Sequence, residues 1–365
     1  MGVASSATSN WRQEHFDSAH SGVNPYERLV SRENVSDLVS NWTADQDVRI
    51  LASPVVADGM VYSAGVDLSD TSSGVAFALD ESSGRELWRV RQPGAGGALG
   101  IAVCNGQVFV GSLFDHALRA YTAATGRLLW TVHADGAVSS PTLARGRVYV
   151  QTNIGSVYAV DRRTGAVVWQ RPYGGLATSS SPAVYRGIVY VAGGNSRQIK
   201  ALNAADGHLV WKKTLAARTL SSPTIVDGLL YEAVAEAGIY ALSAGTGDIV
   251  WHRLTGQGAE SAATVDAAAA YIGNVDGVVH AFDRKSGHGL WTASLGQRFV
   301  LNSPIEANGV VYAATTGVFA LDAKSGEQLW SAPSGEVNSD PAVVEGVLYV
   351  GDFDGQLRAF HLPGW

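Results

Sequence analysis

The sequence predicts an all-β chain, a single β-propeller of eight blades. Three observations carry that expectation. A tryptophan recurs about every 40 residues, short apolar segments repeat in step with it, and the composition is rich in glycine and poor in charge.

The tryptophans set the period. Trp88, Trp130, Trp169, Trp211, Trp251, Trp291 and Trp330 follow at intervals of 42, 39, 42, 40, 40 and 39. Each ends a pattern Ala-x-Asp-x-x-x-Gly-x-x-x-Trp, as in Ala78, Asp80, Gly84, Trp88 and again in Ala159, Asp161, Gly165, Trp169. Thr122, Asn203 and Ser243 replace the Asp in three copies, and all can hydrogen-bond a turn backbone. The Gly supplies the positive φ of that turn. Upstream stands a Val-Tyr-Val type strand, such as Val148-Tyr149-Val150. Before it comes a Ser-Pro strand: Ser53-Pro54, Ser140-Pro141, Ser181-Pro182, Ser222-Pro223 and Ser303-Pro304, with Asp340-Pro341 in the last unit. Four strands, A to D outward from the axis, make each blade.

Eight A strands are present, but only seven have a tryptophan strand after them. The last unit stops at Ala359-Phe360-His361, and Ser40-Asn41-Trp42-Thr43 near the N-terminus supplies the missing outer strand. The ring is expected to close by joining both chain ends in one blade, which removes exposed sheet edges. An N-terminal extension then occupies residues 1–37, and a single propeller residues 38–365.

Composition narrows the function. The 365 residues carry a net charge of −7, with no basic run, so nucleic-acid binding through phosphate neutralisation is not expected. No apolar run approaches the roughly 18 residues that cross a bilayer. Cys104 is the single cysteine, which removes an intrachain disulfide and a cysteine zinc site; its apolar strand predicts a buried, inert thiol. Met1 to Ser6 has no charged or apolar leader region. The Ser/Ala/Thr-rich opening looks like a stretch that follows a cleaved leader, so an extracytoplasmic place is expected, with a cytoplasmic start as the alternative. A monomer is expected.

On these motifs the chain resembles the pyrroloquinoline-quinone-like, BamB-like propeller repeat with its tryptophan-docking motif, over roughly residues 38–365. The stretch Trp11 to Leu38, with His15-Phe16-Asp17 and Asn24-Pro25, resembles the lead-in of secreted bacterial members. The family includes quinone-dependent alcohol dehydrogenases, an envelope scaffold and sensor domains, so the resemblance implies a fold more firmly than a function. The dehydrogenases hold their quinone between a Trp floor and a disulfide of adjacent cysteines. One cysteine rules out that disulfide, and eight of the ten tryptophans are committed to blades, leaving Trp11 and Trp365. No cofactor and no metal are expected. Asp352-Phe353-Asp354-Gly355 and Asn274-Val275-Asp276-Gly277 resemble pieces of Ca²⁺ loops but read as hairpin turns.

A site is expected at the mouth of the axis, where the D–A and B–C connections gather. Aligning the A strands on their proline slot places Arg49, Arg218, Phe299 and Glu336 five residues before it, with Arg298 adjacent. Glu260 and Asn338 stand three residues before it, Asn302 two before, and Asp340 immediately before. Arginine donors facing carboxylates suit a small polar ligand; solvated ion pairs across a wet channel are the simpler reading. Glu260 and Asp340 are the candidate general acids. Glu232 fills a slot that is Val110, Val150 or Val191 in sister blades, so it should find an ion-pair partner or line the mouth. His116, beside Asp115, is the weakest catalytic candidate and reads better as a surface histidine. The loop Ala64 to Gly74 overhangs the mouth or is a tolerated insertion. The expected function is non-redox binding or scaffolding of a protein or small polar ligand at the top face. The alternative is a cofactor-independent lyase, isomerase or cyclase.

Overall fold

The computed structural model describes residues 10–92, 94, 96–174, 180–256, 258, 261–296, 302–337 and 339–364. Eight antiparallel sheets follow one another around an axis. Blade 1 runs Val55–Ala57, Met60–Asp67, Gly74–Asp80 and Glu86–Gln92, and blade 5 runs Thr224–Val226, Leu229–Val234, Gly238–Ser243 and Ile249–Arg253. Blade 8 takes Ala342–Val344, Val347–Gly351 and Gln356–His361 from the C-terminus and Val39–Asp45 from the N-terminus. Thr43 pairs with Arg358 and Trp42 with Ala359, so the ring closes as the repeat predicts.

Each Ala-x-x-x-x-x-Gly-x-x-x-Trp copy builds the same joint. The register shifts by one residue just before the tryptophan, as between Ala120 and Tyr121, and this bulge turns the indole onto the following blade. There its N–H donates to a turn carbonyl: Trp88 to Ala123 at 2.7 Å, Trp169 to Ala204 at 3.0 Å, Trp251 to Arg284 at 3.0 Å. At the closure Trp330 donates to Leu38 at 3.1 Å. Each bond contributes about 1 kcal/mol net, and the ring burial contributes more. The turn glycine has to be glycine for two reasons. Gly84 has φ +68°, and a Cβ there would lie 2.6 Å from the Trp42 ring. The turn aspartates hold their own loops, Asp161 Oδ1 accepting from the N–H groups of Arg163 and Thr164.

The A–B and C–D turns share one face, called the bottom. They are bonded to each other there, as by the Ala204 N–H to the Gly187 carbonyl at 2.9 Å. The D–A and B–C connections form the top. Apolar side chains fill the seams between blades, with Tyr62, Tyr149, Tyr231, Tyr271 and Tyr312 fully buried. Cys104 differs from expectation. It is half-buried at the bottom end of its strand, with its thiol toward Asn105. No helix among the described residues is long and apolar enough to cross a membrane.

Candidate functional site

An innermost strand has a hydrogen-bonding neighbour on its outer side only. Its other edge faces the axis with N–H and C=O groups to satisfy. The N-terminal segment satisfies at least one group on each of the eight A strands. Trp11 exchanges both backbone bonds with Val56 of blade 1, at 2.9 and 2.8 Å. Val103 of blade 2 donates to the Arg12 carbonyl at 2.7 Å, and Leu143 of blade 3 to the Gln13 side chain at 2.7 Å. Val184, Ile225, Val265 and Glu306 of blades 4 to 7 donate to Ser18, Ala19, Ser21 and Gly22. The carbonyl of Val343 in blade 8 accepts from the Asn24 amide at 2.8 Å. Every contact falls two residues beyond the proline slot, so residues 11–24 make one circuit of the channel near its bottom end.

The circuit is tight. His15, Phe16 and His20 take positive φ values of 55°, 71° and 59°, and Asp17 Oδ1 accepts from the N–H groups of Ala19 and Ser21 to hold the curl. Such conformations are uncommon for these residues and persist because the surroundings over-determine them. Trp11 and His15 are fully buried.

Just above the circuit lies a belt formed by the residues that precede the proline slots. Three serine hydroxyls accept the N–H of the previous blade: Ser222 from Ser181, Ser303 from Ala262, Ser53 from Asp340. Asp340 does the same with Oδ1, accepting from Ser303 at 2.6 Å. Unlike a serine it has a second oxygen, and Oδ2 lies 3.3 Å from His15 Nε2. This is an ion-pair contact that lacks the alignment of a direct hydrogen bond. Glu14 reaches the same belt, where the Ser181 hydroxyl donates to Oε2 at 3.3 Å. Glu14 is half-buried on the floor that the circuit makes.

The electrostatics of this floor are coupled. Burial and the nearby Asp340 push the Glu14 carboxyl up, against hydrogen bonds from Ser140 and Ser181. Burial alone would lower His15, but Asp340 and Glu14 more than offset it and hold the imidazole above its ordinary value. His20, with Nε2 3.1 Å from the Thr142 hydroxyl, is pushed down to about 3 by burial and by His15. The floor is therefore a buried acid–imidazole–acid cluster with a second, neutral imidazole behind it.

Of the residues expected at the mouth, Asp340 alone among the described ones joins this cluster. Arg49, Arg218 and Glu336 are exposed on the top-face connections, with the Arg49 guanidinium 5.4 Å from the centre of the Phe353 ring. Asn302 is buried and donates to the Val337 carbonyl at 3.1 Å. Glu260, Arg298, Phe299 and Asn338 lie outside the described residues. His116 is exposed on a B–C loop, and Asp115 beside it pairs with Arg119 instead. The ion pair expected for Glu232 is not found among the described residues. Its carboxyl is fully buried and meets only the Ser221 hydroxyl at 3.3 Å, and burial raises it well above the usual carboxylate range. A neutral carboxyl needs no cation, which is why the position tolerates a glutamate. The acids of the blade 1 loop, Asp67 and Asp70, are bound to Arg91. Asp352 is buried and accepts from the N–H groups of Asp354 and Gln356, holding a hairpin turn. Among the described residues no group of three or more His, Cys, Asp or Glu is arranged to hold a metal ion.

Sequence reasoning missed Glu14, His15 and His20 as site residues. The available signal was local. Four titratable side chains, Glu14, His15, Asp17 and His20, fall within seven residues of an extension that the repeat does not explain.

A family model described as "Outer membrane protein assembly factor BamB" matches residues 71–197, 153–275 and 275–362. The chain belongs to this BamB-type family. Among curated proteins, the chain is similar to BamB of Yersinia pestis, 28% identical over 43% of this chain and 46% of that protein. It is also similar to tetrathionate hydrolase of Acidithiobacillus ferrooxidans, 25% identical over 48% of this chain and 40% of that enzyme. The matches therefore span less than half of these relatives. Among solved structures, the quinohemoprotein alcohol dehydrogenase ADHIIG of Pseudomonas putida superposes with a TM-score of 0.79. That match covers 98% of this chain and 81% of that one at 18% identity, a likeness of fold. The N-terminal circuit, residues 11–24, lies outside the stretches that match the BamB-type model.

Proposed function

We propose that this BamB-type propeller is an extracytoplasmic, non-redox binding or scaffold protein whose central well receives a partner or small polar ligand from the top face. The observation that carries the reading is the N-terminal circuit. It bonds all eight A strands near the bottom; a channel closed there would be a blind well with Glu14, His15 and Asp340 at its floor. The tryptophan joints keep the wall rigid, as a docking site for a preorganised ligand requires. The family supports the scaffold reading and an extracytoplasmic place, since its description and a relative's name refer to outer membrane protein assembly. Arg49, Arg218 and Glu336 at the top edge would contribute the polar rim, with Glu260, Arg298, Phe299, Asn302 and Asn338 proposed beside them.

A second reading is favoured by the floor itself. A carboxyl raised by burial and by a neighbouring carboxylate, beside a histidine, is the equipment of a proton-transfer enzyme that needs no cofactor. Here Asp340 and Glu14 would hold and move a proton through His15.

One thermal-shift series separates the two. The panel holds sugars, carboxylates, amines and extended peptides, tested on the wild type and on Asp340→Asn and Arg218→Ala. Peptide shifts lost in Arg218→Ala alone support scaffolding from the rim. Small-molecule shifts lost in Asp340→Asn support a ligand at the floor, and turnover of that molecule makes the protein an enzyme. No shift with any member would sink both readings of the well.

A further inference from the structure

We propose that the bottom face of blades 3 and 4, with the adjoining outer rim, docks on an anionic phospholipid surface. The first observation is a charge asymmetry that the net charge of −7 conceals. Thirteen of the 26 Lys and Arg residues, but only three of the 33 Asp and Glu, lie between His116 and Arg218. That stretch runs from the third strand of blade 2 to the connection entering blade 5. One sector of the ring is strongly basic while the rest is acidic.

The second observation is where the cations stand. The A–B turns of the bottom face put one residue in the left-handed region. It is Asp58, Asn105, Asp227, Asn308 or Glu345 in five other blades, but Arg145 and Arg186 in blades 3 and 4, at φ 49° and 48°. Asn and Asp tolerate that conformation more readily than arginine, and the local contact made here is Arg186 over the Tyr185 ring, 5.1 Å from its centre. Residues kept in a sparsely populated conformation point to use rather than folding convenience.

Beside these turns lies a cleft of about 300 Å³ lined by Arg145, Arg147, Tyr149 and Asn203. Its donors outnumber its acceptors. The Ala204 carbonyl takes bonds from the Arg147 guanidinium, the Tyr149 hydroxyl and the Trp169 indole, three donors on one oxygen with two lone pairs, and Arg147 shares its bond with the Ala205 carbonyl at 3.0 Å. In the next blade the corresponding carbonyl, that of Ala244, receives only Tyr190 and Trp211, and Ile188 replaces the arginine. An oxyanion in the cleft would relieve that surplus.

The third observation selects a membrane over a soluble anion. Immediately after the C–D turns, on the same bottom edge, pairs of apolar side chains face solvent on blades 2 to 5: Leu128 with Leu129, Ile249 with Val250, and, beside the arginines, Val167 with Val168 and Leu209 with Val210. The last pair is 53% and 51% exposed. Apolar side chains in a row beside a layer of cations match the acyl boundary and the phosphate layer of an anionic leaflet. No exposed aromatic stands among them to stack on a nucleobase. Docked this way, the propeller would turn its top-face well toward the aqueous side.

The test is flotation of the full chain with vesicles of phosphatidylcholine alone and with phosphatidylglycerol added, at low and high salt, with polyglutamate as an acidic-polypeptide control. Retention on the anionic vesicles should exceed that on neutral ones by about tenfold at low salt and fall as salt rises. Arg145→Asn/Arg186→Asn places in both turns a residue that blades 2 and 7 already hold there, so it should fold normally and cut retention by about fivefold or more. Val168→Ser/Val210→Ser should reduce retention with an unchanged unfolding temperature. No retention on anionic vesicles, or equal retention by both variants and the wild type, overturns the proposal. Polyglutamate binding that abolishes retention, together with an indifferent rim variant, overturns it in favour of an acidic protein partner.

Discussion

His15 Nε2 lies 3.3 Å from Asp340 Oδ2, across the axis of the ring and 325 positions apart in the sequence. The pair ties the N-terminal circuit to the last blade, and Asp340 can serve both partners only because a carboxylate has one oxygen more than the serines around it.

Removing the charge while keeping the belt isolates that tie. Asp340→Asn retains an oxygen for the Ser303 N–H but loses the ion pair to a fully buried imidazole. The variant is expected to lose about 1–3 kcal/mol, read from the urea midpoint at pH 6. Asp340→Ser, the residue type of sister blades, should lose a similar amount. An unchanged midpoint in both would mean the imidazole is neutral and indifferent to Asp340.

The two histidines predict opposite pH responses. His20 is held below its unfolded value of 6.5, at about 3. Its contribution is complete above pH 6.5 and is lost as the pH falls toward 3, because the unfolded chain takes up a proton that the fold refuses. His15 is raised, so its contribution is complete below pH 6.5 and is lost as the pH rises through the elevated value. Thermal unfolding between pH 4 and 9 should show His20→Gln flattening the acid limb and Asp340→Asn flattening the alkaline one. The opposite assignment would refute the order of the two shifts.

Glu232 offers a substitution that should stabilise. Its raised carboxyl sits where sister blades hold valine, so Glu232→Val replaces a buried polar group by an apolar one of accepted shape. The unfolding temperature at pH 8 is expected to rise by a few degrees, for a gain of about 1–2 kcal/mol. A fall would mean that the carboxyl has a partner worth more than its burial costs.

The blade joints predict where a single methyl group is costly. At Gly126, φ is +64° and a Cβ would lie 2.8 Å from the Trp88 ring. Gly126→Ala should cost about 2 kcal/mol or more. At Gly59, also at positive φ but in open space, alanine pays only for the conformation and should cost about 1 kcal/mol. Equal costs would show that backbone strain, not the indole, sets the requirement.

The fold was legible because its determinants recur. Trp, Gly and the turn Asp have one job each, repeated at a readable spacing, and Trp42 announced the closing strand by being an eighth copy at the wrong end of the chain. The site was legible only in part, because its determinants occur once. Asp340 stood out against the serines of its column, whereas His15 and Glu14 belong to no column and make their bonds in a curl without regular periodicity. Glu232 was recognised as out of place, but its environment was misjudged, since a lone carboxyl reads the same in sequence whether it is charged or neutral. Alignment put Arg49, Arg218 and Glu336 on the connections that enter their blades, and alignment says nothing about whether exposed side chains converge.

The circuit also orders events in time. A ribosome makes residues 11–24 before any A strand they bind, and the partner of Asn24 lies 319 positions further on. The segment can therefore finish its turn only when the eighth blade exists. Contacts so distant in the chain are slow to form. The protein should thus reach its final state in two stages, an early stacking of blades and a late seating of its own beginning. A protease added during that interval would remove the first two dozen residues and leave the blades intact.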